Sequence, residues 1–234
     1  MTIIYHLESS KIQDLCKYLK DNKIWVYCNY TGSKNNPNDR DDPEIYKRLS
    51  IQAHGMLEFH RYPYDPVTNG LRPRIELVPN NNRLPKNVPL KISYKVSLVK
   101  GGDKMRGMIF QIMDKTPDAK TLPVTQFEVR NSILYSRWTE ISKDGQSLGT
   151  RIMAMGRAIF DENYVYKLTM LITLSSDKNK GNIKTFIDDR LVLDINTITA
   201  SSNPLDSQVQ FGIYCVDNVD IITRVKELKI TRQI

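Results

Sequence analysis

The feature that most limits what this chain can become is the stretch from Val165 to Tyr214, where short alternating runs are separated by turn signals. Val165 to Leu174 reads as a strand, Ser175 to Asn182 as a charged turn and Ile183 to Ile187 as a second strand. Asp188-Asp189 marks a tight turn before a third strand at Leu191 to Ile195, and Val209 to Cys215 makes a fourth. Runs of this length with period-two alternation form antiparallel strands. The four are expected to lie in one sheet.

The rest of the chain repeats the pattern. In Pro89 to Leu98, Leu90, Ile92, Tyr94, Val96 and Leu98 alternate with Lys91, Ser93, Lys95 and Ser97. That is a strand with one buried and one wet face. Further strands are expected at Lys23 to Tyr30, Arg72 to Val78, Met108 to Met113, Arg151 to Met155 and Arg224 to Ile230. Hairpins are expected around His54-Gly55, Asn131-Ser132 and Asp144-Gly145. Residues 32–43 and 62–71 read as loops rich in Asn, Asp and Pro. One helix stands out: Ile12, Leu15, Cys16 and Leu19 form an apolar stripe, Ser10 and Gln13 have capping-box spacing, and Asn22 ends it. The stripe packs on the sheets or meets a partner. About a dozen strands and one helix predict an all-β fold, a two-sheet antiparallel sandwich or jelly roll. Residues 1–45 are expected to pack as a helix, strand and polar loop on a main domain of 46–234.

With 234 residues and 40% hydrophobic content, the chain can bury a large core. A net charge of +8 suits acidic partners, and equally suits plain solubility. Lys and Arg are spread without interleaved aromatic clusters, which ranks nucleic acid last among such partners. Cys16, Cys28 and Cys215 cannot all pair within one chain and form no CxxC, so free thiols in a reducing compartment are expected. No basic segment leading into a long apolar run is seen at the start, and no apolar stretch nears the roughly 20 residues of a membrane helix. Cytoplasmic or virion-associated residence fits, and membrane insertion does not.

His6, His54 and His60 form no metal-binding spacing, and no P-loop, GxGxxG or GxSxG occurs. Neither a metal nor a cofactor is expected. The candidate site is therefore a sheet face. Period two sets Phe211, Ile213 and Cys215 inward and Gln210, Gly212 and Tyr214 outward, the glycine leaving room for a ligand. Arg72, Arg74 and Glu76 share one face, and Gln111 shares one with Ile109 and Met113. With Lys95 and Lys167, these outward groups suit a sugar acid: cations pair its carboxylate, amides hydrogen-bond it and a tyrosine moves protons. Solvated polar residues on a wet sheet face explain the same pattern.

At these residues the sequence resembles the concanavalin A-like jelly-roll polysaccharide lyases, the alginate, glucuronan and heparin lyase type. Arg74-Ile75-Glu76-Leu77 is similar to that family's Arg-x-Glu-Leu strand, Phe110-Gln111-Ile112-Met113 to its Gln-Ile-His strand, and Gln210-Phe211-Gly212-Ile213-Tyr214 to its Lys-x-Gly-x-Tyr strand. The resemblance covers residues 48–230. It implies that Arg74 and Gln111 clamp a uronate carboxylate and that Tyr214 serves as acid and base in β-elimination. Met113 stands where the family has histidine, and Gln210 where it has lysine. His60, or His54, is then left to supply a base.

Two functions follow. One is binding, and cleavage by metal-independent β-elimination, of an anionic polysaccharide. The other is a structural or interaction role, viral or assembly-related, with self-association or a protein partner at the N-terminal segment.

Overall fold

In a computed structural model, residues 2–28, 40–65, 73–79, 83–115, 121–142, 146–202, 207–215 and 217–233 are described. Arg72, the Asp144-Gly145 turn and much of the two expected loops lie outside them. The chain opens with β1 (Thr2–Glu8), a 3-10 turn (Ser9–Lys11), α1 (Leu15–Asp21), β2 (Ile24–Cys28) and α2 (Pro43–Tyr46). Next come β3 (Leu49–Ile51), β4 (Leu57–Arg61), β5 (Arg74–Pro79), β6 (Pro89–Lys100) and β7 (Arg106–Lys115). Then follow β8 (Thr121–Arg130), β9 (Ile133–Ile141), β10 (Ser147–Arg157), β11 (Tyr166–Thr173) and β12 (Asn182–Ile187). The last are β13 (Arg190–Asn196), β14 (Gln208–Cys215) and β15 (Ile221–Arg232).

The strands make two antiparallel sheets. The first, of eight strands, runs β13-β12-β11-β6-β15-β4-β3, with β1 also on β15. The second, of seven, runs β10-β9-β8-β7-β14-β5-β2. Alternation explains the core. Leu90, Ile92, Tyr94, Val96 and Leu98 of β6 are at most 1% exposed and face the other sheet. There Phe110 lies 5.5 Å from Tyr94 and 5.6 Å from Phe127, while Phe211 meets Phe59 edge-on at 5.9 Å. The Tyr94 hydroxyl donates to the Ile109 carbonyl at 3.1 Å, so its one buried polar atom is satisfied. Asn131 and Ser132, and Asp188 and Asp189, all have positive φ, as two-residue hairpin turns require.

The structure corrects three expectations. First, β11, β12 and β13 pair as foreseen, but β14 leaves them and inserts between β7 and β5 of the opposite sheet. Second, the N-terminus begins with a strand, β1, paired to the C-terminal half of β15. The helix starts later, capped by Asp14, whose Oδ1 accepts from the Lys17 N–H at 2.9 Å. Ile12 and Leu19 are buried in the core, and Asn22 ends the helix. Third, Gly212 is no opening for a ligand. A Cβ there would sit 2.3 Å from the Ile75 carbonyl oxygen and 2.8 Å from the Phe59 ring, at φ +133. The glycine is required by the close approach of β14 to β5 and to the opposing sheet.

Candidate functional site

The outward face of the second sheet carries a groove of about 520 Å³. Its lining comes from six neighbouring strands: Tyr27 of β2, Arg74 of β5, Gln208, Gln210 and Tyr214 of β14, Met108, Gln111 and Met113 of β7, Pro123 and Gln126 of β8, and Arg137 of β9. Register sets these side chains in rows across the strands. One row runs Gln210, Gln111, Gln126, Arg137. Beside it runs Arg74, Tyr214, Met108, Glu128. The bulge where β7 shifts register between Met108 and Phe110 keeps Met108 in the groove although Ile109 and Phe110 are core. Ile109 therefore does not share a face with Gln111.

The middle row is a chain of amides. Gln126 Nε2 donates to Gln111 Oε1 at 3.0 Å, and Gln111 Nε2 donates to both Gln210 Oε1 and Glu76 Oε1 at 2.8 Å. All four residues are 6% exposed or less, so the network is nearly dry. A desolvated hydrogen-bond chain holds its members rigidly.

Arg74 sits at the end of that chain. Its guanidinium carbon is 4.6 Å from the Tyr214 ring centre and 5.8 Å from that of Tyr27. Both rings present their electron-rich faces to the cation. Nη1 lies 3.5 Å from Glu76 Oε2, while Arg74 Nε and Glu76 Oε2 have no hydrogen-bond partner among the described residues. Burial pushes the Glu76 carboxyl up to about 7, with Arg74 and the Gln111 hydrogen bond pulling the other way.

A second charged cluster lies beyond the amides. Glu128, 1% exposed, accepts from Arg130 at 2.8 and 3.0 Å and from Arg137 at 2.9 Å, with Arg106 at 3.8 Å. Arg137 Nε has no hydrogen-bond partner among the described residues. Four guanidiniums thus face two carboxylates along this surface, which leaves it positive. Such a groove draws polyanions and offers bidentate donors for carboxylates.

Of the residues singled out in the sequence, Arg74, Glu76, Gln111, Gln210 and Tyr214 come together here. His60, Lys95 and Lys167 do not. They project from the outward face of the first sheet, with the core between them and the groove, because β4, β6 and β11 belong to that sheet. His60 contacts Asp220 at 2.8 Å, Lys95 contacts Glu227 at 2.5 Å and Lys167 contacts Asp189 at 2.7 Å. His54 is exposed in the turn between β3 and β4. Sequence reasoning missed Tyr27, Gln126 and Arg137. Each occupied an expected strand, but only register shows that it faces the same groove as Arg74. Among the described residues, no group of His, Cys, Asp or Glu could hold a metal ion, and no helix is long and apolar enough to cross a membrane.

No family model matches the chain, and no curated protein matches it in sequence. Its fold is that of solved polysaccharide lyases. A family 7 alginate lyase, A1-II′, in complex with the substrate GGMG, superposes with a TM-score of 0.68 at 12% identity, covering 97% of each chain. An endo-β-1,4-glucuronan lyase from the fungus Trichoderma reesei gives 0.65 at 15% identity, over 99% of this chain and 96% of that one. The alginate lyase AlgAT5, of polysaccharide lyase family 7, gives 0.63 at 15% identity, over 97% and 100%.

Proposed function

We propose that the groove binds an anionic, uronate-containing polysaccharide and cleaves it by β-elimination. The observation that supports this best is the arginine clamp. Arg74 is held between two tyrosine rings, beside a buried amide network, on a positive sheet face. A uronate carboxylate meets Arg74 and Gln111, which neutralise it and so acidify the C5 proton beside it. Tyr214 takes the C5 proton, the C4–O bond breaks, and Tyr214 returns a proton to the leaving oxygen. Glu76 orients Gln111 and Arg74, and Gln210 and Arg137 extend the contact to neighbouring sugars. Substrates of this kind are those named for the solved structures of the same fold, alginate and glucuronan.

Met113 lines the groove as a thioether, which takes no proton; this favours a second reading, a protein that binds the polysaccharide without cleaving it. Incubation with alginate, glucuronan and heparin, following the absorbance of unsaturated uronate, separates the two. Absorbance growth supports cleavage. Gel retardation by the glycan without absorbance leaves binding alone. Neither signal on any anionic glycan overturns both.

A further inference from the structure

The second sheet ends at β10, and among the described residues no strand pairs with its outer side. An open edge offers unpaired backbone N–H and C=O groups to another strand, so natural sheets shorten, charge or cover their edges. The strands at the other ends of the two sheets are shorter: β2 has five residues, β3 three and β13 seven. β10 has eleven. Its C-terminal end is covered from within. Arg190 Nη2 donates to the Met155 carbonyl at 2.6 Å, and the Tyr166 hydroxyl donates to the Arg157 carbonyl at 3.0 Å. Ser147 to Ala154 has no such cover among the described residues. Every residue of that stretch is exposed, with Leu148 at 66%, Ile152 at 44% and Met153 at 42%. Arg151 is its one charged residue, and the guanidinium is already engaged by Glu140 of β9 at 3.1 Å. The open half of the edge is therefore apolar and carries no free charge to repel a second strand.

We propose that β10 pairs antiparallel with β10 of a second copy of this chain, across a twofold axis at Thr150. This pairing is independent of what the groove binds. Self-complementarity selects both the occupant and the register. Each Leu148 stands opposite the partner's Ile152, and Thr150 meets the partner's Thr150; apolar and threonine pairs of this kind stabilise a ladder. Each Arg151 stands opposite the partner's Gly149, a position where even a Cβ would meet nothing within 4 Å. An axis at Arg151 would set the two guanidiniums against each other, which is unfavourable. An axis at Gly149 would leave Ile152 opposite Gln146. Axes nearer the C-terminus run the ladder onto Met155, whose carbonyl Arg190 already holds. Ser147 to Met153 of the two strands then lie side by side over about 24 Å. The area buried is on the order of 1,000 Å², the lower bound for a specific interface, so a reversible dimer with a roughly micromolar Kd is expected. Two seven-stranded sheets join edge to edge. The twofold axis stands perpendicular to the joined sheet, so both grooves open on the same side.

Sedimentation of the full chain across a concentration series through the micromolar range tests this. The mass is expected to rise from the 27.1 kDa of one chain toward twice that value. The mass of one chain at every concentration overturns the proposal. Two double variants at the exposed positions test the register, with folding checked by thermal melts. Leu148→Lys with Ile152→Lys sets like charges opposite each other at both ends of the ladder and is expected to weaken association by roughly tenfold or more. Leu148→Glu with Ile152→Lys sets opposite charges there and is expected to stay within a few-fold of native. Equal association by the two double variants overturns the assignment. Thr150→Cys supplies an independent arm. Mild oxidation is expected to link it to its copy, while the native chain with Cys16, Cys28 and Cys215 stays unlinked under the same conditions. A folded T150C that sediments as a dimer but does not cross-link overturns the axis at Thr150.

Discussion

On the outward face of the first sheet, Lys95 meets Glu227, Lys167 meets Asp189 and Lys184 meets Asp194 within 2.9 Å, every side chain at least 20% exposed. On the outward face of the second sheet, Arg74 is 12% exposed, Glu76 2% and Glu128 1%, and three buried polar atoms of this surface have no hydrogen-bond partner among the described residues. The same period-two rule made both faces. The first spends most of its charges on solvated pairs, each contributing between zero and about 1 kcal/mol; Arg224 with Glu58, 13% and 14% exposed, and the Ser97 Oγ beside them, unpartnered among the described residues, are its buried exceptions. The second keeps buried donors and acceptors unsatisfied, at about 1–3 kcal/mol for each such atom. Orphaned polar atoms of this kind mark strain, a functional role or an ordered water rather than ordinary surface polarity. Net charge alone therefore says little here, and desolvation says much.

The sharpest way to break this comparison is to remove the groove's chemistry and leave the other face intact. Tyr214→Phe removes only a hydroxyl, and elimination is expected to fall by about 10²–10⁴-fold, with binding of the polymer within a few-fold of native. Arg74→Ala is expected to lower both turnover and affinity, since the clamp acts in the bound state and in the transition state. Rates from unsaturated-uronate absorbance and affinities from gel retardation read the split. A Tyr214→Phe variant with native turnover would remove that residue from the mechanism.

Next in size is the stability carried by the buried carboxylates. Glu128→Ala leaves three guanidiniums around an empty centre and is expected to cost about 2–4 kcal/mol, reduced by the partial exposure of the arginines. Denaturant unfolding measures it. Glu76 works in the opposite sense. Its carboxyl is pushed up to about 7 in the folded protein from the ordinary 4.5. Between those values the native state keeps a proton that the unfolded chain has released, so stability falls as pH rises through that window and levels off above it. The full swing is about 3 kcal/mol. Glu76→Gln, which keeps an acceptor for Gln111, is expected to flatten the curve. It should melt higher than native at pH 8 and converge with native near pH 5.

How much of this was legible follows from what a strand's sequence encodes. Pro89 to Leu98 announced its buried and wet faces, because the pattern is local to one strand. The hairpins at Asn131-Ser132 and Asp188-Asp189 were legible for the same reason. Sheet membership was not. The sequence between β13 and β14, residues 197–207, carries no alternation to signal a change of sheet, so Gln208 to Cys215 looked like the fourth strand of a meander. The site inherited that ambiguity. Arg74, Gln111 and Tyr214 stood out through short motifs, whereas Tyr27, Gln126 and Arg137 had the same outward polar pattern as Lys95 and Lys167. Only register separates the first three, on the groove face, from the last two, on the other.

That equivalence in sequence gives the smallest and most discriminating prediction. Lys95→Ala and Lys167→Ala each delete a cation from a net charge of +8, as Arg137→Ala does. If binding followed overall charge, the three variants would weaken the polymer equally and lose the same amount of salt dependence. Lys95 and Lys167 are neighbours in the β6–β11 register, paired with Glu227 and Asp189 on the far side of the core. Their removal is expected to change affinity less than about twofold and stability by under about 1 kcal/mol. Arg137→Ala, measured at the same ionic strength, is expected to weaken binding about tenfold, because its guanidinium lines the groove at the end of the amide row. Equal losses from all three would erase the distinction between the two faces and return the interaction to a diffuse attraction of opposite charges.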